Sequence, residues 1–214
     1  MKFGVVQFPG SCDHRDALDA ARRVADAELL WHGDHSLSGV DAVIVPGGFS
    51  YGDYLRVGAI ARFSPLMESV IAFANEGGPV LGICNGFQVL CEAHLLPGAL
   101  LPNTSLRFVC RQVDVEVVGD SAWTDASPPT RTLSIPVKHT TGRYFAPGLD
   151  PGQVVFRYAA RQNPNGSQDD IAGVRNEAGN VVGLMPHPEH AVDPLTGSAD
   201  GLHLFESVLR ERVH

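Results

Sequence analysis

The sequence predicts an α/β protein with a doubly wound, mostly parallel sheet, helices on both faces and an added antiparallel β layer. Two observations predict this fold class. Short apolar runs alternate with helical segments over the first half of the 214 residues, and strand-like runs follow one another without helices after Pro97. Alternation of strand and helix is typical of parallel sheets with right-handed crossovers. We expect residues 1–214 to form a single domain.

The first half contains four predicted strands, which are apolar runs at residues 2–8, 28–31, 41–45 and 80–83. Helical segments lie at residues 13–27, between Gly58 and residue 76, and at 85–94. Ser11 and Asp13 are candidate N-caps of the first helix. In sheets of this kind, active sites collect at the carboxyl ends of the strands.

The second half is richer in strands, which are predicted at residues 106–118, 132–137, 153–159, 171–175 and 180–185. The last two runs are joined by a turn at residues 177–179 and predict a hairpin. Residues 201–212 close the chain as an amphipathic helix.

Charge and hydropathy exclude several kinds of partner. A formal net charge of -8 argues against nucleic acid or an anionic membrane as the main partner. No apolar stretch reaches the length of a membrane span, and the N-terminal residues pass straight into a strand without a signal sequence. We therefore expect a cytoplasmic protein.

Cys84 is the first candidate catalytic residue. It follows the apolar run at residues 80–83, stands between Gly82 and Gly86, and precedes a helical segment. This pattern is the cysteine counterpart of the nucleophile elbow, in which a strained turn between strand and helix exposes the nucleophile. A helix N-terminus also favours a thiolate. From Cys84 alone, a buried and unreactive cysteine at a strand end remains an equal alternative.

His187 and Glu189 are the candidate base and its orienting group. They follow the predicted strand at residues 180–185, and Pro186 and Pro188 favour extended backbone, which would place both side chains on one side. A rigid proline-rich surface turn is the alternative. A metal site at His187 and His190 is a weaker interpretation, because no third or fourth ligand is evident. We expect no metal.

An oxyanion hole is the remaining requirement of a cysteine nucleophile. The backbone N–H of Asn85 can supply one donor, and a glycine N–H of the Gly47-Gly48 turn, at Gly48, can supply the other. A phosphate cradle at this turn lacks the usual glycine spacing, and a plain turn is the commoner alternative. Three such features, arising independently at strand ends, argue against coincidence.

These motifs resemble the class I, triad-type glutamine amidotransferases. The general pattern comprises Pro46-Gly47-Gly48, Gly82-x-Cys84-x-Gly86-x-Gln88 and His187-Pro188-Glu189. Within that family, the sequence is similar to the glutaminase subunits of phosphoribosylformylglycinamidine synthases of purine biosynthesis. The more specific stretches are PGGFSYGDYLRVGAIARF at 46–63, GICNGFQ at 82–88, NPNGS at 163–167, residues 170–173, and 176–189, which ends in GLMPHPE.

The resemblance implies an activity and its partners. Cys84 would form a glutamyl thioester with glutamine, with His187 as acid and base and Glu189 behind it, and Gln88 and Gly47 would help to bind the substrate. Ammonia would pass to a large synthetase subunit, joined by a small bridging subunit. ATP and Mg²⁺ would be used by that synthetase, and this chain would carry no cofactor.

Three stretches depart from the family pattern. Ser11-Cys12-Asp13 is one residue shorter than usual, residues 138–144 replace the usual His-Gly-Glu-Gly-Arg, and His190 stands where arginine is common. No triad member is lost. Two other functions remain alternatives: a stand-alone cysteine amidase or peptidase of the same fold, and a non-catalytic regulatory module.

Overall fold

The computed structural model describes residues 1–54, 56–128 and 130–210. Its strands are β1 (Lys2–Gln7), β2 (Asp26–Trp31), β3 (Ala42–Val45), β4 (Val80–Ile83), β5 (Ala99–Pro102), β6 (Val109–Val117), β7 (Thr132–His139), β8 (Thr141–Phe145), β9 (Val154–Tyr158), β10 (Ile171–Arg175) and β11 (Val181–Leu184). Its helices are α1 (His14–Arg22), α2 (Pro65–Asn75), α3 (Asn85–Glu92) and α4 (Leu202–Arg210). No helix in these residues is both long and apolar enough to cross a membrane.

A parallel sheet in the order β2-β1-β3-β4-β11 forms the centre of the fold. Every residue of β3, β4 and β11 is buried, as expected for central strands that are covered on both faces. The connection from β1 to β2 moves toward one edge of the sheet, and the connection from β3 to β4 moves toward the other edge. Right-handed crossovers therefore place α1 and α2 on opposite faces, which confirms the doubly wound architecture.

The antiparallel strands extend the edge of the same sheet. β10 pairs with β11 as the predicted hairpin, and β9, β6 and β7 follow, each antiparallel to its neighbour. β5 and β8 form a separate two-stranded antiparallel sheet. The antiparallel addition to the parallel sheet is thus confirmed, and most of it is continuous with that sheet.

Helix α1 differs from its prediction at both ends. It ends at Arg22 because the following N–H groups bond to Ala20 and Ala21 in a tightened last turn, and Ala27 pairs with Phe3 in the sheet. Asp13 occupies the predicted N-cap position of α1, but neither predicted side chain caps the helix. The Asp13 side chain makes no capping hydrogen bond, and the Ser11 hydroxyl accepts the N–H of Phe8 instead.

Other boundaries shift by a few residues. The strand predicted at residues 106–118 begins at Val109, because Leu106 has a left-handed φ of 54° and its N–H closes a turn on Asn103. β5 and β8 were absent from the prediction. The last helix is described from Leu202 to Arg210, and residues 211 and 212 of its predicted range lie outside the described residues.

Candidate active site

Cys84 lies in a strained turn between β4 and α3. Its φ of 50° and ψ of -103° place it in a backbone region that costs a non-glycine residue free energy. A Cβ atom at Gly86 would overlap the carbonyl oxygen of Val45, and one at Gly82 would lie 2.6 Å from Cδ1 of Leu90. The two glycines therefore allow the strand and helix to approach closely enough to form the turn. The thiol faces the carbonyl oxygen of Lys138, with Sγ 3.9 Å away.

His187 and Glu189 follow the end of β11, the neighbour of β4 in the sheet. Nδ1 of His187 lies 2.6 Å from Oε1 of Glu189, and both side chains are buried. His187 has a φ of -106° and a ψ of 87°, outside the extended region, and Pro188–His190 forms a 3₁₀ turn, so the prediction of extended backbone in this segment is wrong. The N–H of His187 bonds to the carbonyl of Pro136 in β7 and fixes the segment.

The imidazole of His187 carries a perturbed pKa. Burial by itself lowers this pKa, but the Glu189 carboxylate and the Cys84 side chain outweigh it and raise the pKa to about 10. Nε2 is buried and makes no conventional hydrogen bond within the described residues, so Cys84 acts on the ring mainly through charge and proximity. This arrangement favours an imidazolium beside the thiol group.

Asp13 lies behind His187 and was not among the predicted site residues. Its carboxylate oxygens lie 2.6 Å from Nζ of Lys138, 3.7 Å from Nδ1 of His187 and 3.5 Å from Nε2 of His190. Burial raises the pKa of Asp13, but the contact with His190, the charge on His187 and the ion pair with Lys138 outweigh it and hold the pKa well below its usual range. Asp13 therefore stays ionised and stabilises positive charge on this side of the site.

The cluster of Asp13, His187, Glu189 and His190 has the donor types of a metal site, with ligand atoms all within 4.8 Å of one another. Two of these groups are already engaged. The ammonium of Lys138 contacts Asp13, and Nδ1 of His187 contacts Glu189. A cation would have to displace both contacts, so the cluster is better described as a hydrogen-bonded acid–base network.

The Gly47-Gly48 turn follows β3 and packs against the same cluster. A Cβ atom at Gly47 would lie 2.5 Å from Oδ2 of Asp13 and 2.8 Å from Cε1 of His187, so glycine is required for the ring to fit. Gly48 has a φ of 136° and faces the cleft, and its N–H has no acceptor within the described residues. The N–H of Asn85 belongs to the first turn of α3 and has no intrahelical acceptor either.

The side-chain amides of Asn85 and Gln88 form a hydrogen-bonded network beside Cys84. Nδ2 of Asn85 donates to Oε1 of Gln88 at 2.9 Å and to Oδ1 of Asp53 at 3.3 Å. Nε2 of Gln88 donates to the carbonyl of Thr141 at 2.5 Å. Gln88 is therefore held in one orientation between α3 and β8.

A cleft with about 470 Å³ of empty space, open to solvent, joins these groups. Its lining residues are Cys12, Asp13, Gly48, Phe49, Asp53, Cys84, Gln88, Phe108, Lys138, His139, Thr140, Thr141 and His187. Glu189 and Asn85 lie directly behind this lining through their contacts with His187 and Gln88. Four consecutive lining residues belong to the stretch at 138–144, where the sequence departs from the family pattern. That stretch therefore forms part of the cleft itself.

His139 lies in the same wall and is held neutral. Burial and the neighbouring charge of His187 lower its pKa to about 4, and its Nε2 lies 3.0 Å from Nδ2 of Asn165. Asp13, Asp53 and Lys138 are the carboxylate and ammonium side chains of the lining that sequence reasoning missed. The position of Asp13 after the carboxyl end of β1 is the one available signal, and it equally fits a helix cap.

Comparison with known proteins identifies the family. The model of the CobB/CobQ-like glutamine amidotransferase domain matches residues 2–203. The phosphoribosylformylglycinamidine synthase subunit PurQ of Rubrobacter xylanophilus is 60% identical over 217 residues, with 98% of each chain covered. The chain belongs to the PurQ family of glutamine amidotransferases. The PurQ protein of Streptomyces avermitilis is 56% identical and covers 100% of this chain and 98% of its own length.

Solved structures agree with membership of the PurQ family. A chain in the structure of PurLQS from Thermotoga maritima is 42% identical, with a TM-score of 0.92, and the match covers 99% of this chain and 98% of that one. A glutamine amidotransferase from the same organism matches at a TM-score of 0.63 with 17% identity. At that identity the second match supports the fold alone.

Proposed function

We propose that this chain is the glutaminase subunit of a phosphoribosylformylglycinamidine synthase and that it hydrolyses glutamine through Cys84, His187 and Glu189. The observation that carries the proposal is the meeting of these three side chains at adjacent strand ends, beside an open cleft. A nucleophile, a base and an orienting carboxylate are the groups that covalent amide hydrolysis requires.

The chemistry proceeds in two steps. Sγ of Cys84 attacks the side-chain carbonyl carbon of glutamine, the C–N bond breaks, and His187 gives its proton to the departing ammonia. The product of this step is a γ-glutamyl thioester. His187 then takes a proton from water, which attacks the thioester, and glutamate leaves with regeneration of the sulfur nucleophile. The raised pKa of His187 fits the proton donor of the first step.

Both steps place negative charge on the substrate carbonyl oxygen. The backbone N–H groups of Asn85 and Gly48 are available to stabilise it, and a donor of this kind is worth about 10²–10³-fold in rate. Gln88 is the proposed contact to the glutamine backbone atoms. Gly47 has no side chain and therefore leaves room for the His187 ring.

The released ammonia would be used by another subunit. The Rubrobacter xylanophilus relative is named as a synthase subunit, and the Thermotoga maritima structure is titled as the PurLQS assembly. By analogy, a large synthetase subunit would bind ATP and Mg²⁺ and convert formylglycinamide ribonucleotide to the amidine, and a small subunit would bridge the two. This chain would need no cofactor of its own.

The mouth of the cleft carries exposed aromatic side chains, which suit it to bind a partner subunit. Phe49 and Phe108 line the cleft and are 50% and 52% exposed, and Tyr54 on the neighbouring loop is 74% exposed. Exposed aromatic side chains of this kind are frequent anchors of protein interfaces. Docking here would also close the cleft, so that ammonia leaves into the partner.

Glutamate release from glutamine tests the proposal. The purified chain is assayed alone and with the synthetase and bridging subunits of the same organism, beside the variants Cys84→Ala and Cys91→Ala. Cys91 is the matched control, because it is a buried cysteine of α3 that does not line the cleft. We expect slow release alone, strong stimulation in the complex and loss in Cys84→Ala only. Rapid hydrolysis of another amide without a partner effect would instead indicate a stand-alone amidase, and no hydrolysis under any condition would indicate a non-catalytic module.

A further inference from the structure

Asp53 is a cleft carboxyl group to which the proposed hydrolysis gives no role. It lies at the end of a short turn, Ser50–Asp53, in which Tyr51, Gly52 and Asp53 all have left-handed φ angles of 54°, 71° and 54°. Two of these three residues are not glycine, and such conformations persist only where the surroundings enforce them. The position of Asp53 is therefore held by the surrounding structure.

Several hydrogen bonds hold this turn in place. The N–H of Ser50 donates to Oδ1 of Asn85 at 3.1 Å, the N–H of Tyr51 donates to the carbonyl of Pro9 at 2.7 Å, and the hydroxyl of Tyr51 lies 2.8 Å from Nδ1 of His32. Contacts from the residues that follow β1 and β2, and from α3, thus fix the loop on three sides. The Asp53 side chain is presented to the cleft by a well-anchored backbone.

The Asp53 carboxyl group has unused hydrogen-bonding capacity. Within the described residues its one hydrogen bond is the 3.3 Å contact from Nδ2 of Asn85, and its second oxygen makes none. The other cleft carboxylate, Asp13, is already paired with Lys138. Burial raises the pKa of Asp53 to about 6, with the Asn85 hydrogen bond opposing the rise, as expected for a half-buried carboxyl group without a cationic partner.

Asp53 also belongs to the same wall as the nucleophile. Asn85 directly follows Cys84 and donates from one nitrogen to both Asp53 and Gln88. A substrate whose amide lies at Cys84 would therefore have its remaining atoms near these two side chains. An α-amino acid carries an ammonium group at that end, and an ammonium–carboxylate hydrogen bond is among the stronger contacts available to a small ligand.

We propose that Asp53 binds the α-ammonium group of the substrate and thereby selects free α-amino acid amides over amides that lack this group. This inference rests on the proposed glutaminase function and names a specificity-determining residue for it. A site built to pair an ammonium group rejects an analogue without it, because the half-buried carboxylate is then left without its partner.

Glutaramate, which is glutamine without its α-amino group, is the probe that tests this. Hydrolysis of glutamine and glutaramate is measured for the wild-type chain, Asp53→Asn and the control Asp19→Asn, whose exposed carboxylate lies on α1 outside the cleft. We expect Asp53→Asn to raise KM for glutamine by about 10–100-fold with little change in kcat, and to leave kcat/KM for glutaramate within about twofold of wild type. Asp19→Asn should match the wild type on both substrates.

The ratio of kcat/KM for glutamine to kcat/KM for glutaramate distinguishes a recognition defect from a folding defect. Equal loss on glutamine and glutaramate, or an unchanged preference for glutamine in Asp53→Asn, would overturn the inference. Calorimetric binding to Cys84→Ala and to Cys84→Ala/Asp53→Asn gives a readout that does not need hydrolysis. Glutamine bound equally by both would overturn the role of Asp53, whereas failure of the wild-type chain to hydrolyse glutamine, alone or in the complex, would overturn the proposed function instead.

Discussion

At the scale of single residues, the charge on His187 is the property on which the proposed chemistry depends. Burial disfavours the imidazolium, and the neighbouring Glu189 and Cys84 side chains reverse that effect. Asp13 adds a second carboxylate 3.7 Å from Nδ1. The protonated ring is therefore the product of three neighbours from three segments of the chain.

Glu189→Gln removes the carboxylate and preserves the size of the side chain. Without that charge, burial should lower the pKa of His187. The amide of the substituted glutamine can also donate to Nδ1 and hold the imidazole ring in the wrong tautomer. We expect glutamine hydrolysis to fall by about 10²–10⁴-fold, as for the loss of an orienting carboxylate in other triads. Steady-state glutamate release measures the rate, and an NMR titration of the His187 ring measures its pKa. Glu177→Gln, an exposed control, should change neither; an unaltered rate in Glu189→Gln would contradict the role of Glu189.

The raised pKa of His187 also predicts how stability depends on pH. A histidine whose folded pKa of about 10 exceeds its ordinary value of 6.5 adds stability that is fully present below pH 6.5 and is lost as pH rises toward 10. The difference in unfolding free energy between wild type and His187→Asn should therefore shrink over that range. Urea unfolding at a series of pH values measures it. A constant difference for His187→Asn would show that its pKa is not raised.

At the scale of elements, the contact between β3, β4 and α3 positions Cys84. Gly86 packs directly on the carbonyl of Val45, so any side chain there must separate the helix from the sheet. We expect Gly86→Ala to lower the free energy of unfolding by about 1–3 kcal/mol or more, the usual range for overpacking. Gly152→Ala is the control, because its Cβ would meet ordinary contacts of 3.4 Å or more. Urea denaturation compares the two; equal effects would mean that the close packing at Gly86 does not limit stability.

The sequence predicts the central elements well and the peripheral ones less well. The strands at Val80–Ile83 and Ile171–Arg175 match their predictions residue for residue, because continuous apolar runs between turn residues mark buried strands. β5 carries no such signal, since each of its residues is partly or fully exposed. Its pairing with β8 joins residues 99 and 145, a distance in sequence that local patterns cannot show.

The same reasoning separates the predictable from the unpredictable part of the site. Cys84, His187 and Glu189 are found from glycine and proline spacing at strand ends, where local rules apply. Asp13 meets Lys138 across 125 residues, and this contact depends on the antiparallel strand β7 reaching back to the end of β1. The position of Asp53 depends on a strained turn that no local residue pattern predicts.

At the scale of the whole molecule, the exposed loop beside the cleft is expected to couple this chain to its partner. Tyr54→Ser should leave glutamine hydrolysis by the isolated chain unchanged, because the side chain is 74% exposed and does not line the cleft. We expect the partner concentration for half-maximal stimulation to rise about 10-fold, as for the loss of an aromatic interface anchor. Phe63→Ser is an equally exposed control outside the loop at residues 47–56. Titration of the synthetase subunits measures the effect, and identical curves for the two variants would exclude a docking role for Tyr54.

The proposed function depends above all on Cys84 being the nucleophile of a glutamine-specific site. The most direct measurement is labelling of the chain with 6-diazo-5-oxo-L-norleucine, a glutamine analogue whose diazoketone alkylates an active-site thiol, followed by mass spectrometry of the peptides. The chain has four cysteines, at positions 12, 84, 91 and 110. We expect a single label on Cys84, prevented by excess glutamine. Labelling of Cys12 or Cys110 at an equal rate, or labelling that glutamine does not prevent, would contradict it.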